Sequence, residues 1–267
     1  MNGGITPLFE DREILRKIGR SWILVSAIVF ASVLLLACFF AVPDVSSLKR
    51  ENPGKTAYMK YRETEWQKKG RRIKTHQTWV ALSSVSPYLV KAVLIAEDDK
   101  FWTHEGFDYE AIERAAKKDL RIGQFRSGGS TISQQLARNL YLSPAKSLLR
   151  KAREAIITWR MERVLSKKRI LELYMNVVEW GEGIFGAEAA SRYYYGKSVS
   201  ELTAREAAAL ASVLPNPRRY NPVGNQPYVL LRSDLIYSIM LRRGIIASEY
   251  REISLKDSPP FAIHRDP

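Results

Sequence analysis

The chain has 267 residues, of which 42 are Lys or Arg and 28 are Asp or Glu, so its formal net charge is +14 at pH 7. With 46% hydrophobic and 10% aromatic residues, the composition is that of a folded protein and excludes a disordered or fibrous chain. The single cysteine, Cys38, excludes a disulfide framework and a cysteine zinc site. The charge predicts an anionic partner: nucleic acid, a lipid surface or a phosphorylated substrate.

An uncharged apolar segment runs from Ser21 to Val42. As a helix it would span about 33 Å, which is enough to cross a bilayer. Basic residues just before it favour a cytoplasmic location for residues 1–20, although two basic residues also follow soon after it. A cleaved signal would have a shorter apolar segment, and residues 35–38 form only a partial lipoprotein signal. We therefore predict an uncleaved transmembrane anchor over residues 21–43.

Most of the positive charge lies after this anchor. The first 43 residues hold 4 basic and 3 acidic residues, which leaves 38 and 25 for residues 44–267. On the predicted topology this charge lies outside the cytoplasm, so we expect no nucleic-acid partner. Residues 44–76 are predicted to form a basic juxtamembrane connector suited to anionic lipid headgroups, and residues 77–267 to form one domain.

The domain is predicted to be mainly α-helical, because alternation typical of strands is nearly absent. Capping residues indicate where its helices begin and end. They are Ser86-Pro87, Ser143-Pro144, Ser166, Thr203 with Glu206, Gly196 and Gly244. Apolar residues follow the helical period in two stripes. The first comprises Leu148, Leu149, Ala152, Ile156 and Trp159, and the second Ile170, Leu171, Tyr174 and Val178.

Two acidic residues continue a buried face of the helix that begins at Ser86-Pro87. Glu97 and Asp98 follow Val93 and Leu94 by one helical turn. Desolvation disfavours a charged carboxylate, so burial here predicts the raised pKa that suits a general acid or base. The same acids could instead cap a helix or pair with a neighbouring one.

A second candidate segment is the diglycine at 128–129 followed by hydroxyl side chains. Arg126 precedes it, and Arg138 follows it. Free N–H groups at a helix N-terminus, hydroxyls and arginines together suit a phosphate. The GKS/T ending of a Walker loop is missing, and glycine before Ser and Thr is also an ordinary way to begin a helix.

A third candidate pair is Lys151 and Glu154, which lie three residues apart on one helix face within a basic cluster. The pair suits a site that holds a polyanion beside an acid or base. It could equally be a surface ion pair.

Taken in order, these segments resemble glycosyltransferase family 51, the peptidoglycan polymerases. The matching segments lie between Trp79 and Pro222. They are AEDDKFWTHEGFD (96–108), GGSTISQQLARNLYL (128–142), RKAREA (150–155), RILELYMN (169–176), GEGIFGAEAASRYYYGK (181–197) and TAREAAALASVLPNPRRYNP (203–222). Ser133 and Tyr195 depart from the usual Thr and Phe, at positions that do not touch the expected chemistry.

The resemblance implies a lysozyme-like helical fold whose substrate is lipid II, a disaccharide-pentapeptide joined through a diphosphate to a polyprenyl chain. It implies that Glu97 takes the proton from the acceptor sugar's 4-hydroxyl while that oxygen attacks the donor's anomeric carbon. Inversion then gives a β-1,4 link and releases polyprenyl diphosphate. Glu154 matches the family's second glutamate, and Lys151 matches the basic residue that organises the diphosphate with it.

The resemblance also assigns residues to the donor side of the cleft, namely Arg126, Ser130, Gln134 and Gln135. Asp98, His104 and Arg138 are expected to support the site, with His104 holding the loop after Glu97. No metal ligand and no organic cofactor are predicted, although Mg²⁺ or Mn²⁺ at the diphosphate fits this chemistry.

The expected location is the bacterial cytoplasmic membrane, crossed once, with the catalytic domain on the outer side. Expected partners are lipid II, the growing glycan strand, membrane lipids and other cell-wall synthesis or division proteins. A KTG motif of penicillin-binding transpeptidases is missing, which favours a monofunctional polymerase. The alternatives are a lytic muramidase, which would cleave the same polymer, and a non-catalytic membrane-anchored scaffold.

Overall fold

The computed structural model describes residues 22–30, 32–33, 43–122, 129–144 and 147–246. Residues 22–30 and 32–33 are helical, while most of the remaining anchor predicted over 21–43 lies outside the described residues. Among the residues that are described, no helix combines the length and the apolar character needed to cross a membrane.

The described domain is mainly helical, as predicted. Its α-helices are α1 (Ala57–Lys68), α2 (Pro87–Glu97), α3 (Tyr109–Ile122), α4 (Ile132–Tyr141), α5 (Leu148–Val164), α6 (Lys167–Val177), α7 (Ala187–Tyr195), α8 (Ala204–Ser212) and α9 (Pro227–Arg242). Short 3₁₀ helices cover Ser46–Lys49, Leu82–Ser84 and Val199–Glu201.

A small sheet accompanies the helices. Its strands are β1 (His76–Gln77), β2 (Glu179–Gly181) and β3 (Ile184–Phe185), in the order β1-β3-β2. β3 pairs with β1 in parallel and with β2 in an antiparallel arrangement that is irregular between Glu179 and Gly181. Strands of two or three residues are too short to show an alternating pattern, so they are not predicted from the sequence.

Helix α4 is central to the packing. It contacts α1, α5 and α6, while α8 packs between α2 and α9. Most of α4 is buried, including the polar side chains of Ser133, Gln134 and Asn139. The segment that follows the diglycine is therefore part of the core as well as part of the candidate site.

Most of the predicted caps are confirmed. Thr203 and Glu206 form a capping box, Ser166 caps α6, and Gly196 ends α7 in the left-handed region with a φ of 69°. The pair Ser143-Pro144 was wrong as a helix start. Helix α5 begins at Leu148, where the Ser147 hydroxyl accepts a hydrogen bond from the Arg150 N–H at 3.1 Å.

The apolar stripe predicted for α5 was also wrong. Leu148, Leu149 and Trp159 are 91%, 47% and 40% exposed. The buried face instead consists of Glu154, Ile157, Thr158 and Met161. Two of these four buried positions, Glu154 and Thr158, carry polar side chains. The apolar pattern of the sequence therefore indicated a neighbouring face of the helix as the buried one. The stripe on α6 is confirmed, since all of its residues are buried.

Residues 44–76, predicted as a connector, include a helix that packs against the domain. Within them α1 is capped by Thr56, and its Met59 and Trp66 are each 1% exposed and cluster with Phe185. The low apolar content of α1 concealed this packing, because only two of its large apolar side chains face inward. The predicted polar connector thus contains a helix that forms part of the folded domain.

The packing of α1 can be tested by truncating Trp66. We expect Trp66→Ala to lower the free energy of unfolding by about 3–5 kcal/mol, because it empties a buried site of a large aromatic side chain. The matched control is Tyr61→Ala on the same helix, at a site that is 41% exposed, with an expected change below about 0.5 kcal/mol. Denaturant unfolding measures both. Equal small changes would mean that α1 is not packed in solution.

Candidate active site

Glu97 is the last residue of α2, where the buried stripe of that helix meets the cleft. Its side chain is 11% exposed. Burial raises the pKa of Glu97 above its ordinary value, and the Gln135 hydrogen bond and the charges of Arg232 and Arg138 partly oppose this. Glu97 is thus a largely buried acid whose pKa is shifted upward, the direction that the sequence predicts.

A chain of hydrogen bonds orients the Glu97 carboxylate. Gln135 Nε2 donates to Glu97 Oε2 at 2.8 Å, and the Tyr174 hydroxyl donates to Gln135 Oε1 at 3.3 Å. Complete burial raises the pKa of Tyr174 well above 10.0, and the charge of Glu97 adds to this effect. Tyr174 therefore remains a neutral donor and fixes which end of the Gln135 amide faces Glu97.

Asp98 and His104 hold the backbone around the site. Asp98 accepts hydrogen bonds from His104 Nε2 at 2.9 Å and from the Ile132 N–H, at the start of α4, at 2.9 Å. Since His104 Nδ1 accepts from the Gly106 N–H at 3.0 Å, the proton of the neutral imidazole lies on Nε2. Both side chains have the supporting geometry that was expected of them.

The N-terminus of α4 differs from the predicted phosphate cradle. Thr131 and Gln134 form a capping box, so Gln134 closes the helix end and is 4% exposed. The N–H of Ile132 is bonded to Asp98, so three amides that a phosphate would need already have protein acceptors. Ser130 does line the cleft, whereas Arg126 and Gly128 lie outside the described residues.

Glu154 is fully buried on the inner face of α5, between two cations. Arg150 Nη1 donates to Glu154 Oε2 at 2.6 Å, and Lys151 Nζ contacts Glu154 Oε1. Lys151 Nζ also lies 3.5 Å from Ser130 Oγ, so it reaches the cleft from a side chain that is 47% exposed. The pair predicted at 151 and 154 is therefore more than a surface ion pair.

Arg232 was not predicted as a site residue. It lies on α9, beyond the matched motifs, where it donates from Nη2 to the Ala96 carbonyl at 3.1 Å. The same nitrogen is 3.8 Å from Glu97 Oε1. No local sequence signal indicates this contact, because α9 and α2 are distant along the chain.

These side chains line a cleft with three adjoining lobes. The central lobe has a volume of about 500 Å³ and is lined by Glu97, Ser130, Gln135, Arg138 and Arg232 among others. A lobe of about 200 Å³, the Asp98 lobe, shares Glu97 and Ser130 with it. A lobe of about 260 Å³, the Glu179 lobe, shares Gln135 and Arg138 with it. Glu97, Arg138, Arg150 and Arg232 thus line adjoining lobes of one cleft, while Gln134 is turned into the core.

The fold and this cleft define a mainly helical enzyme in which a largely buried carboxylate faces several cationic side chains. Residues 64–241 match the family model described as Transglycosylase, and the chain belongs to that family. It is 51% identical over 189 residues to the biosynthetic peptidoglycan transglycosylase of Azoarcus sp. (strain BH72), covering 71% of this chain and 82% of that protein. The protein of that name from Nitrosospira multiformis is 42% identical over 216 residues, covering 81% and 94%.

The raised pKa of Glu97 predicts a pH-dependent cost to stability. Between the ordinary pKa of 4.5 and the higher folded value, the folded state keeps a proton that the unfolded state has lost. Stability therefore falls as the pH rises through this range, and the cost is complete above it. We expect Glu97→Gln, which cannot ionise, to be more stable than the wild type at neutral pH, with the gain vanishing at about pH 4.

Urea unfolding at both pH values measures this difference. The control is Glu113→Gln on α3, a glutamate that is 64% exposed, for which we expect little change at either pH. A Glu97→Gln gain that did not depend on pH would show that the stabilisation has a source other than ionisation.

Proposed function

We propose that this chain, a peptidoglycan glycosyltransferase by family, polymerises lipid II into β-1,4-linked glycan strands with inversion and release of polyprenyl diphosphate. The observation that carries this proposal is Glu97, a buried carboxylate with a raised pKa at the junction of two cleft lobes. In this proposal the chain acts as a monofunctional polymerase.

Glu97 acts as the general base. It accepts the proton of the acceptor's 4-hydroxyl while that oxygen forms a bond to the donor's anomeric carbon and the bond to the diphosphate breaks. A sugar hydroxyl is a very weak acid, so proton removal has to accompany bond formation. Burial makes the carboxylate a stronger base, while Gln135 and Arg232 oppose the rise in its pKa by stabilising the charged form.

The cationic side chains stabilise the negative charge that develops on the leaving diphosphate. Lys151 reaches the cleft beside Ser130, and Arg150 lines the Glu179 lobe. Glu154 forms ion pairs with both Arg150 and Lys151, so these cations are positioned before substrate binds. Arg126 joins this group on the family resemblance alone. Gln134 contributes by ordering the start of α4.

Mg²⁺ or Mn²⁺ bound to the diphosphate remains part of the proposal. Among the described residues, no group of three or more His, Cys, Asp or Glu side chains is arranged to hold a metal ion. Such an ion would be held by the substrate's phosphate oxygens.

We propose a single membrane crossing over residues 21–43, with the catalytic domain on the outer side of the cytoplasmic membrane. The support is the uncharged apolar sequence from Ser21 to Val42 together with a substrate that carries a polyprenyl chain. Anionic lipids and other cell-wall synthesis or division proteins are the proposed partners, with no role for nucleic acid.

The function is tested by incubating the purified chain with lipid II and following glycan length. We expect the wild type to form long strands without a nucleotide sugar, and Glu97→Gln to reduce the rate at least about 10²-fold, because the base is removed. The exposed control Glu113→Gln should retain wild-type activity.

Other outcomes identify other functions. Shortening of preformed glycan by the wild type would indicate a lytic muramidase, and no reaction in either direction would indicate a scaffold. Full activity of folded Glu97→Gln would exclude Glu97 as the base.

Arg232 should set the pH range in which Glu97 is ionised. Arg138, Asp98 and Tyr174 also face this carboxylate, and they are unchanged in an Arg232→Met variant. Because Arg232 favours the charged form, its removal raises the pKa of Glu97 further. We expect the acid limb of the pH profile of kcat/KM to move to higher pH, and Arg232→Lys to restore it in part.

The matched control is Arg243→Met, which removes an arginine near the end of the same helix. Arg243 Nη2 pairs with Asp99 Oδ2 at 2.8 Å and does not contact Glu97. A shift of the acid limb in this control, or no shift in Arg232→Met, would contradict the assigned role of Arg232.

A further inference from the structure

A second buried carboxylate lines the cleft. Glu179 lies on β2, and its side chain is 3% exposed. Its Oε2 atom accepts hydrogen bonds from Arg62 Nε at 3.1 Å, Arg62 Nη2 at 2.9 Å and the Tyr58 hydroxyl at 3.3 Å. Its Oε1 atom has no hydrogen-bond partner among the described residues. One half of this carboxylate is therefore fixed, and the other half lacks a donor.

Helix α1 provides the fixed half of this arrangement. Tyr58 and Arg62 precede residue 64, where the match to the family model begins. Arg62 Nη1 also donates a hydrogen bond to Glu65, so the guanidinium is fixed by contacts with both Glu65 and Glu179. The orientation of Glu179 thus depends on a helix that starts outside the matched range.

An unpaired cation lines the same lobe. Arg138 and Glu179 both face the Glu179 lobe, yet they do not pair with each other. The Arg138 guanidinium makes no hydrogen bond or ion pair within the part of the chain that the structure describes. A buried oxygen without a donor is costly, so a ligand that supplies one gains more than an ordinary hydrogen bond.

An amide has the two complementary groups that this lobe lacks. Its N–H can donate to Glu179 Oε1, and its carbonyl can accept from Arg138. The substrate sugars carry this unit as N-acetyl groups, and the lobe adjoins the central lobe in which the base lies. Glu179 Oε1 is almost fully covered, so the residues that line the lobe have to move slightly before an amide can reach it. Arg138 can move without breaking a hydrogen bond to any described residue.

We propose that Glu179 and Arg138 bind the N-acetyl group of a sugar in the Glu179 lobe and so distinguish N-acetylated sugars from their hydroxyl counterparts. This inference rests on the proposed function. It assigns Glu179, with Tyr58 and Arg62 behind it, to substrate binding and not to proton transfer.

The test compares two tetrasaccharides that differ only at the amide. Chitotetraose has N-acetyl groups where cellotetraose has hydroxyls. In titrations of the full chain followed by saturation-transfer NMR, we expect the wild type to bind chitotetraose about tenfold more tightly than cellotetraose, the size of one well-formed hydrogen bond to a charged group.

Glu179→Gln should abolish this preference to within about twofold. Its carbonyl oxygen can satisfy Arg62 and Tyr58, which leaves an NH₂ donor facing the lobe where an acceptor is needed. Glu182→Gln is the matched control, because Glu182 lies nearby but pairs with Arg71 at 2.7 Å outside the lobe. We expect it to keep the wild-type preference.

The proposal is overturned if the wild type shows no preference or no binding, if Glu179→Gln keeps the preference, or if Glu182→Gln loses it equally. Melting temperatures show whether each variant is folded. If Glu179→Gln does not fold, Arg138→Met tests the other contact and should lose the same preference. The polymerisation assay is independent: strand formation without sugar discrimination refutes only this inference, and discrimination without strand formation refutes only the proposed function.

Discussion

The carboxylate of Asp98 fixes the geometry on which the cleft depends. By accepting from both the Ile132 N–H and His104 Nε2, this one buried group joins the end of α2, the loop after it and the start of α4. Gln135 lies one turn further into α4, so the same contact brings its amide to Glu97. Asp98 thus positions the backbone that carries Gln135, and the Gln135 side chain in turn orients the carboxylate of the proposed base.

Three glutamates in and around the cleft are paired to different extents. Glu154 forms ion pairs with two cations. Glu179 accepts hydrogen bonds on Oε2, whereas its Oε1 has no hydrogen-bond partner among the described residues. Glu97 accepts a hydrogen bond from the Gln135 amide and lies near a more distant arginine, Arg232. Ion pairs on both oxygens occupy the carboxylate of Glu154. Glu97 has the weakest pairing of the three, which agrees with the proposal that it accepts the proton.

The sequence revealed the parts of this site that lie on one helix. Glu97 could be predicted because the helical period of α2 carries it onto the buried face. Thr131 and Gln134 have the spacing of a capping box, a local signal that would have separated the structural Gln134 from the functional Gln135. Contacts between distant elements left no such signal. Arg232 reaches Glu97 from α9, and the pairing of Arg62 with Glu179 depends on α1 packing against the domain.

The net positive charge acts in the cleft through few residues. Several arginines around the core of the described structure are paired with carboxylates, as Arg62 is with Glu179 and Arg150 with Glu154. Arg138 differs, since it lines both the central lobe and the Glu179 lobe and its guanidinium has no hydrogen-bond or ion-pair partner within the described residues. A cation shared in this way can bind the neutral amide of a sugar and also attract the charge that develops on the diphosphate.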